Sequence, residues 1–280
     1  MPASKTAARR PAPRAASADH ELRCEGAGGV RILTLARPER RNSLSEAMLG
    51  ALQAAIAAAD SDDAVRAVVL AAEGPVFSAG HDLKELTQRR GDADAGRAYH
   101  AMIMRLCAQM MRSIVRCRKP VIAAVQGPAL AAGCQLVATC DLAVAAEHAS
   151  FATPGVNIGL FCSTPMVALS RNVPRKRAME MLLLGEHLPA DKAAEYGLVN
   201  RVVPAARVLA EAMAMAELVA SKPRATVAIG KEAFYRQLEM ELAEAYDYAA
   251  GVMVENMLHA EAKEGIAAFL EKRRPDWDQG

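Results

Sequence analysis

The sequence has little net charge, no long apolar run and no cysteine pair at short spacing. Its 34 basic and 32 acidic side chains leave a formal charge of +2. A general nucleic-acid binder would show a strong basic excess, so no nucleic-acid partner is expected. No stretch of ~18 uncharged apolar residues occurs, and no membrane span is predicted. Cys24, Cys107, Cys117, Cys134, Cys140 and Cys162 form no CxxC pair, and no histidine cluster stands nearby at zinc spacing, so no metal is expected. Cys134 and Cys140 lie among apolar neighbours and read as small core residues. This cysteine usage points to a reducing compartment, read as the cytoplasm.

Residues 1–20 contain no acid before Asp19, while Lys5, Arg9, Arg10 and Arg14 are scattered among Ala, Pro and Ser. Such a segment cannot bury enough apolar surface to fold, so a disordered basic tail is predicted. Mitochondrial targeting is the alternative, since targeting peptides are also Arg-rich and acid-poor. Pro11 and Pro13 would interrupt the amphipathic helix of such a peptide. The rest of the 280-residue chain suffices for one large domain, with no need of disulfides or metal to fold.

Strands are predicted at Val30–Leu35, Val65–Ala72, Pro120–Val125 and Asp141–Ala145, from β-branched and aliphatic runs. Ser45 is a candidate N-cap for a helix with Met48, Leu49, Leu52 and Ile56 at helical spacing. A long helix over about Arg97–Cys117 carries a stripe of Met102, Leu106, Met110 and Ile114. Beyond residue 160 the pattern is largely helical, with segments at Arg175–Leu184, Ala190–Tyr196, Pro204–Ala220, Arg224–Leu238, Glu241–Leu258 and Lys263–Glu271 and a brief strand at Val199–Val203. Alternating strands and helices call for a mainly parallel α/β sheet.

Two loops carry chemistry. Gly74 to Leu86 follows a buried strand, and its Ala79 and Gly80 leave the backbone N–H groups approachable. Gln126 to Leu136 again ends a buried strand in small residues and opens a helix, whose first N–H groups have no intrahelical partner and favour an anionic oxygen. A tight turn in one and close helix–strand packing in the other would explain the same small residues. Taken together, the loops suggest a shared oxyanion hole, one donor from each, although spacing alone does not say which N–H groups converge.

With Phe77-Ser78-Ala79-Gly80-His81-Asp82-Leu83-Lys84-Glu85-Leu86, Gly127 through Leu136, Cys140-Asp141-Leu142 and the ending Glu264 to Arg273, the sequence resembles the enoyl-CoA hydratase/isomerase (crotonase) family over about residues 25–275. Ala152 to Asn157 and Phe161 to Pro165 look like its enoyl-CoA hydratase domain-containing branch. The resemblance implies a crotonase-like spiral of ββα units over residues 21–200 and a helical C-terminal oligomerisation region over 201–280. It implies trimers or dimers of trimers, and an acyl-CoA thioester as ligand, with coenzyme A as part of the substrate and no separate cofactor. It implies backbone donors at His81 and Ala132, CoA contacts at Ala79, His81, Leu83 and Lys84, and Phe269 and Lys272 reaching a neighbour's CoA. Arg40 falls where the family often has a basic residue near the CoA phosphates; a solvated charge beside Arg41 is the alternative.

The two glutamates by which family hydratases orient water and shuttle its proton fall at Gln135 and Gly155. Gln135 exchanges no proton at neutral pH and Gly155 offers no side chain, so hydration by the usual route is expected to be weak or absent. A decarboxylase of the methylmalonyl-CoA type is one alternative, with His81 assisting a carboxylate, although a loop histidine is expected to face solvent. A non-catalytic acyl-CoA-binding protein is another. Thioester hydrolysis by Cys162 or Ser163 is a third, but no base is placed to activate either. Glu85, Asp92 and Asp94 are acids that could enter the cavity, Glu85 otherwise starting a helix face.

Overall fold

In a computed structural model, residues 21–277 are described. The readings of residues 1–20 as a disordered tail or targeting segment lie outside them. The chain winds in successive strand–strand–helix turns. The first begins with a hairpin, β1 (Leu22–Ala27) and β2 (Val30–Leu35). Gly28 and Gly29 turn it with φ of 54° and 84°, as a two-residue hairpin turn requires. This glycine pair between two short runs is the signal for β1, which periodicity in its charged, exposed segment does not supply. Helix α1 (Glu46–Ser61) closes the turn. Its predicted cap is present: Ser45 Oγ accepts from Met48 N at 3.0 Å, and Met48, Leu49, Leu52 and Ile56 are buried.

The second turn runs through β3 (Ala67–Ala72), α2 (Leu83–Gln88) and α3 (Arg97–Arg116). The buried face of α3 is centred on Ile103, Cys107, Met110 and Ile114; Met102 and Leu106 lie at its edge, one residue round from the predicted stripe. The third turn is β4 (Val121–Val125), β5 (Ala129–Leu130) and α4 (Ala132–Thr139). The fourth is β6 (Leu142–Ala146), β7 (Ser150–Ala152), a 3-10 turn over Pro154–Ile158, then α5 (Pro165–Asn172) and α6 (Arg175–Leu184). Strand β8 (Leu188–Pro189), α7 (Ala190–Glu195) and β9 (Arg201–Val203) follow.

Two layers of strand result. One sheet has the order β1-β2-β3-β4-β6-β9, parallel except for the β1–β2 hairpin. β4 is buried along its whole length, as a sheet covered on both faces requires. The other layer joins β5, β7 and β8, and single bridges extend it from Ala129 to Ser78 and from His81 to Leu44. Each spiral turn thus contributes one segment to each layer. The small-residue loops are the crossings between them.

Helix α8 (Val208–Ala220) packs on β2, β3, β4 and β6, so the core continues past residue 200. Helices α9 (Arg224–Gln237), α10 (Leu242–Leu258) and α11 (Ala260–Leu270) pack on one another. α11 begins three residues before its predicted start because the His259 side chain accepts from Glu261 N. One buried ionic cluster pins α9 to the core. Asp141 accepts from Val121 N at 2.7 Å, Lys231 Nζ at 2.7 Å and Tyr235 OH at 2.8 Å. Lys231 also donates to the carbonyls of Ile114 and Lys119.

Candidate active site

The site forms where the loop after β3 meets the loop after β4. Fully buried Asn42 fixes the first loop from below: its Nδ2 donates to the carbonyls of Glu73 at 2.9 Å and Val76 at 2.8 Å. Its own carbonyl accepts from Ser78 Oγ at 2.8 Å. Ala79 N donates to Arg41 O at 3.0 Å, and Leu44 N to Gly80 O at 2.7 Å. The second loop is joined to the first by Leu130 N, which donates to Ser78 O at 2.9 Å.

Glycine is required at the crossing. A Cβ on Gly133 would stand 2.3 Å from Ser78 O, and one on Gly127 would stand 2.1 Å from Pro75 O. Gly80 has φ of +87°, and a Cβ there would lie 3.0 Å from Ala132 N. The residue before His81 therefore sits against the first N–H of α4. Neither His81 N nor Ala132 N donates to an acceptor among the described residues. Ala131, which aims the start of α4, has φ 49° and ψ −116°. A non-glycine residue held there carries backbone strain, of a kind concentrated at functional sites. The tight-turn and close-packing explanations of these small residues both hold: Gly80 needs its left-handed backbone, and the packing sets the segment before His81 against the start of α4.

Two more polar atoms near these amides are buried without partners: His81 Nε2 and Gln135 Oε1. Gln135 lies one helical turn beyond Ala132, on the same face of α4. Buried polar atoms are almost always satisfied, so these two orphans, on the segments that carry the two free amides, are open to hydrogen bonds from a ligand or water. His81 does not face solvent as expected. Its imidazole is largely enclosed, and burial lowers its pKa to about 4, so it is neutral at neutral pH. The cause is the lower layer of strand: the bridge to Leu44 draws His81 inward.

Gly155 is enclosed differently. A Cβ there would meet Leu160 O at 2.5 Å and Cys162 Sγ at 2.9 Å. Backbone and thiol occupy the space into which a side chain at this position would project. Burial pushes the Cys162 thiol pKa up, against a smaller opposing effect of the Gly155 N–H. Ser163 is exposed and its Oγ bonds to Phe161 O at 3.3 Å. Neither is activated as a nucleophile. Glu85 accepts from Glu46 N at 3.0 Å, and Asp94 accepts from Gly96 N and Ala98 N, so both carboxylates are engaged in holding helix ends. Asp92 is exposed.

The remaining sequence candidates lie at the rim. Asp82 caps α2 through Lys84 N and Glu85 N, which sets Leu83 and Lys84 outward beside the first loop, both exposed. Arg40 is exposed at the end of a 3-10 turn over Pro38–Arg40 and, through Arg41 O, adjoins Ala79. Phe269 and Lys272 are not brought to the loops by contacts within one chain: Phe269 is 82% exposed on α11, whose main neighbours are α9 and α10. Asn42 was missed by sequence reasoning; its only local sign is that Asn tolerates its φ of 48° better than most residues. Among the described residues no group of three His, Cys, Asp or Glu could hold a metal ion.

Comparison with known proteins gives this geometry a context. The enoyl-CoA hydratase/isomerase family profile matches residues 25–280. Human enoyl-CoA hydratase domain-containing protein 3, mitochondrial, is 51% identical over 250 residues, covering 89% of this chain and 80% of that protein. A probable enoyl-CoA hydratase of Rhizobium meliloti is 36% identical over 257 residues, covering 91% of this chain and 97% of the relative. Among solved structures, an enoyl-CoA hydratase of Mycobacterium smegmatis superposes with a TM-score of 0.87 at 52% identity, covering 92% of this chain and 99% of that one. The human domain-containing protein 3 structure gives 0.87 at 48% identity, covering 92% and 100%. The spiral of ββα turns is the crotonase fold, and the chain belongs to the enoyl-CoA hydratase/isomerase family, on the side of it that is similar to enoyl-CoA hydratase domain-containing protein 3.

Proposed function

We propose that the protein binds acyl-CoA thioesters and holds the thioester oxygen between His81 N–H and Ala132 N–H, stabilising it as it gains enolate charge. The observation that supports this reading is the approach of Gly80 to Ala132 N, by which the segment leading into the unengaged His81 N–H lies against the unengaged first N–H of α4. Each such donor is worth about 2.7–4 kcal/mol of transition-state stabilisation. Arg40 and Lys84 would meet the CoA phosphates, with Ala79 and Leu83 along its path; the exposure of Arg40, Leu83 and Lys84 beside the first loop supports this. Helices α9 to α11 expose Phe234, Leu242, Tyr246, Met257 and Phe269, an apolar surface of the kind that marks subunit contacts. A homotrimer or dimer of trimers would cover it and carry Phe269 and Lys272 to a neighbour's CoA.

Hydration of enoyl thioesters is then weak or absent. Gln135 can orient water through its orphaned carbonyl but exchanges no proton, and Gly155 has neither a side chain nor room for one. One observation favours decarboxylation as a second reading. Burial lowers the His81 pKa to about 4 and so makes it a weak base, and loss of carbon dioxide forms the enolate without removing a carbon-bound proton. Rates with crotonyl-CoA and with malonyl- and methylmalonyl-CoA separate the two, and the near-ultraviolet enolate band of bound acetoacetyl-CoA reports the hole itself. Fast crotonyl-CoA hydration that is undiminished in Gln135→Ala would defeat the first reading. The word mitochondrial in the names of the vertebrate relatives supports the targeting alternative for residues 1–20 over a cytoplasmic location. Fusing those residues to a fluorescent reporter in a eukaryotic cell tests it.

A further inference from the structure

A cavity of about 310 Å³ opens at the far end of β4 from the two small-residue loops. Its lining brings together Arg66, Arg118, Lys119, Lys222 and Arg224, with Asp63 and Glu232 the only acids. Lys119 stands two residues before β4, whereas Gly127 of the second loop stands two residues after it. The five-residue strand between them spans about 16 Å, so this cavity is separate from the thioester pocket.

The cations are built in. Arg118 donates from Nη2 to Asp60 O at 2.7 Å, and Arg66 from Nη2 to Lys222 O at 2.6 Å. Arg224 pairs with Asp63 at 3.2 Å. Each guanidinium is thereby oriented with N–H groups to spare. Lys119 is only 4% exposed, yet its ammonium makes no hydrogen bond or ion pair among the described residues. Its pKa is lowered, first by burial, then by Arg118 and Arg224; the opposing pull of Asp60 and Asp63 does not offset this. An ammonium held among like charges on a largely buried stem is costly unless an anion joins it.

We propose that this cavity binds a phosphate group, either inorganic phosphate or a small phosphate monoester, between Lys119, Lys222 and the spare N–H groups of Arg118 and Arg224. A tetrahedral dianion offers enough acceptor oxygens for all four side chains and neutralises the excess positive charge. The volume leaves room for an organic residue beyond the phosphate.

Titration calorimetry with inorganic phosphate and, separately, with adenosine 5′-monophosphate tests the site, at ionic strength held constant with chloride. Both are run on the wild-type protein, on Lys119→Met and on Lys222→Gln. A Lys84→Gln variant controls for the CoA side. Binding of either probe should weaken at least tenfold in Lys119→Met and survive in Lys84→Gln. Tighter binding of the nucleotide than of phosphate that is lost in Lys119→Met identifies an ester as the ligand. Should Lys119→Met fail to fold, Lys222→Gln carries the test, since Lys222 is exposed and its side chain supports no other element. Absence of binding at 10 mM of either probe, or binding lost only in Lys84→Gln, overturns the proposal.

Discussion

Placing carboxylates at positions 135 and 155, where the family resemblance puts the hydratase glutamates, probes the central chemical claim. Gln135 is 5% exposed and its Oε1 has no partner. A carboxylate placed there loses most of its hydration, which raises its pKa above the usual ~4.3. A rise of about two units destabilises the fold by about 2.7 kcal/mol above the folded pKa. The sign follows from proton binding: the folded state of Gln135→Glu holds its proton more tightly than the unfolded state. The cost is therefore absent below about pH 4, grows as pH rises toward the folded pKa, and stays constant beyond it. For a chain of this length it amounts to a Tm lowered by roughly 5–10 °C at pH 8 and unchanged at pH 4. Gly155→Glu meets a steric obstacle instead. Its Cβ would press on Leu160 O at 2.5 Å, and backbone yields less readily than a side chain. Overpacking of this kind costs about 1–3 kcal/mol. Crotonyl-CoA hydration, followed by loss of enoyl absorbance, should stay within about tenfold of wild type in Gln135→Glu, because one carboxylate without its partner does not complete the proton shuttle. A gain of about 100-fold or more from Gln135→Glu alone, the lower range for a working general acid or base, would refute the reasoning.

Three further outcomes are expected. Gly80→Ala, which forces a Cβ into contact with Ala132 N from a left-handed backbone, should abolish the enolate band of bound acetoacetyl-CoA and lower stability by about 1–3 kcal/mol; a retained band would remove these amides from the mechanism. His81, with a folded pKa of about 4 against ~6.5 unfolded, should give full stability above pH 6.5 and lose about 3 kcal/mol as pH falls toward 4. Urea midpoints at pH 7.5 and pH 4.5 should show that slope and show it flattened in His81→Gln. Lys231→Met leaves Asp141 buried without its cation and should cost about 3–5 kcal/mol in urea unfolding, with α9 the first segment to gain amide exchange.

What the sequence reveals of this fold depends on how local the cause is. Ser45 is legible because a cap acts within one turn of its own helix, and β4 is legible because full burial leaves an unbroken apolar run. The second layer is not, since strands as short as Ala129–Leu130 have no period to detect. The burial of His81 is also hidden, because it comes from a bridge to Leu44, 37 positions away. Gly155 shows the limit most clearly. The missing side chain is plain in the sequence once the family resemblance marks the position, and alone it would suggest that one substitution restores the family's carboxylate. The structure adds that Leu160 O and Cys162 Sγ occupy the space a Cβ at Gly155 would enter. The exclusion of a side chain there is therefore shared by three residues of one segment. Fitting a glutamate there requires repacking Leu160 and Cys162 together with Gly155, so the exclusion of a side chain is a property of the segment and not of a single position.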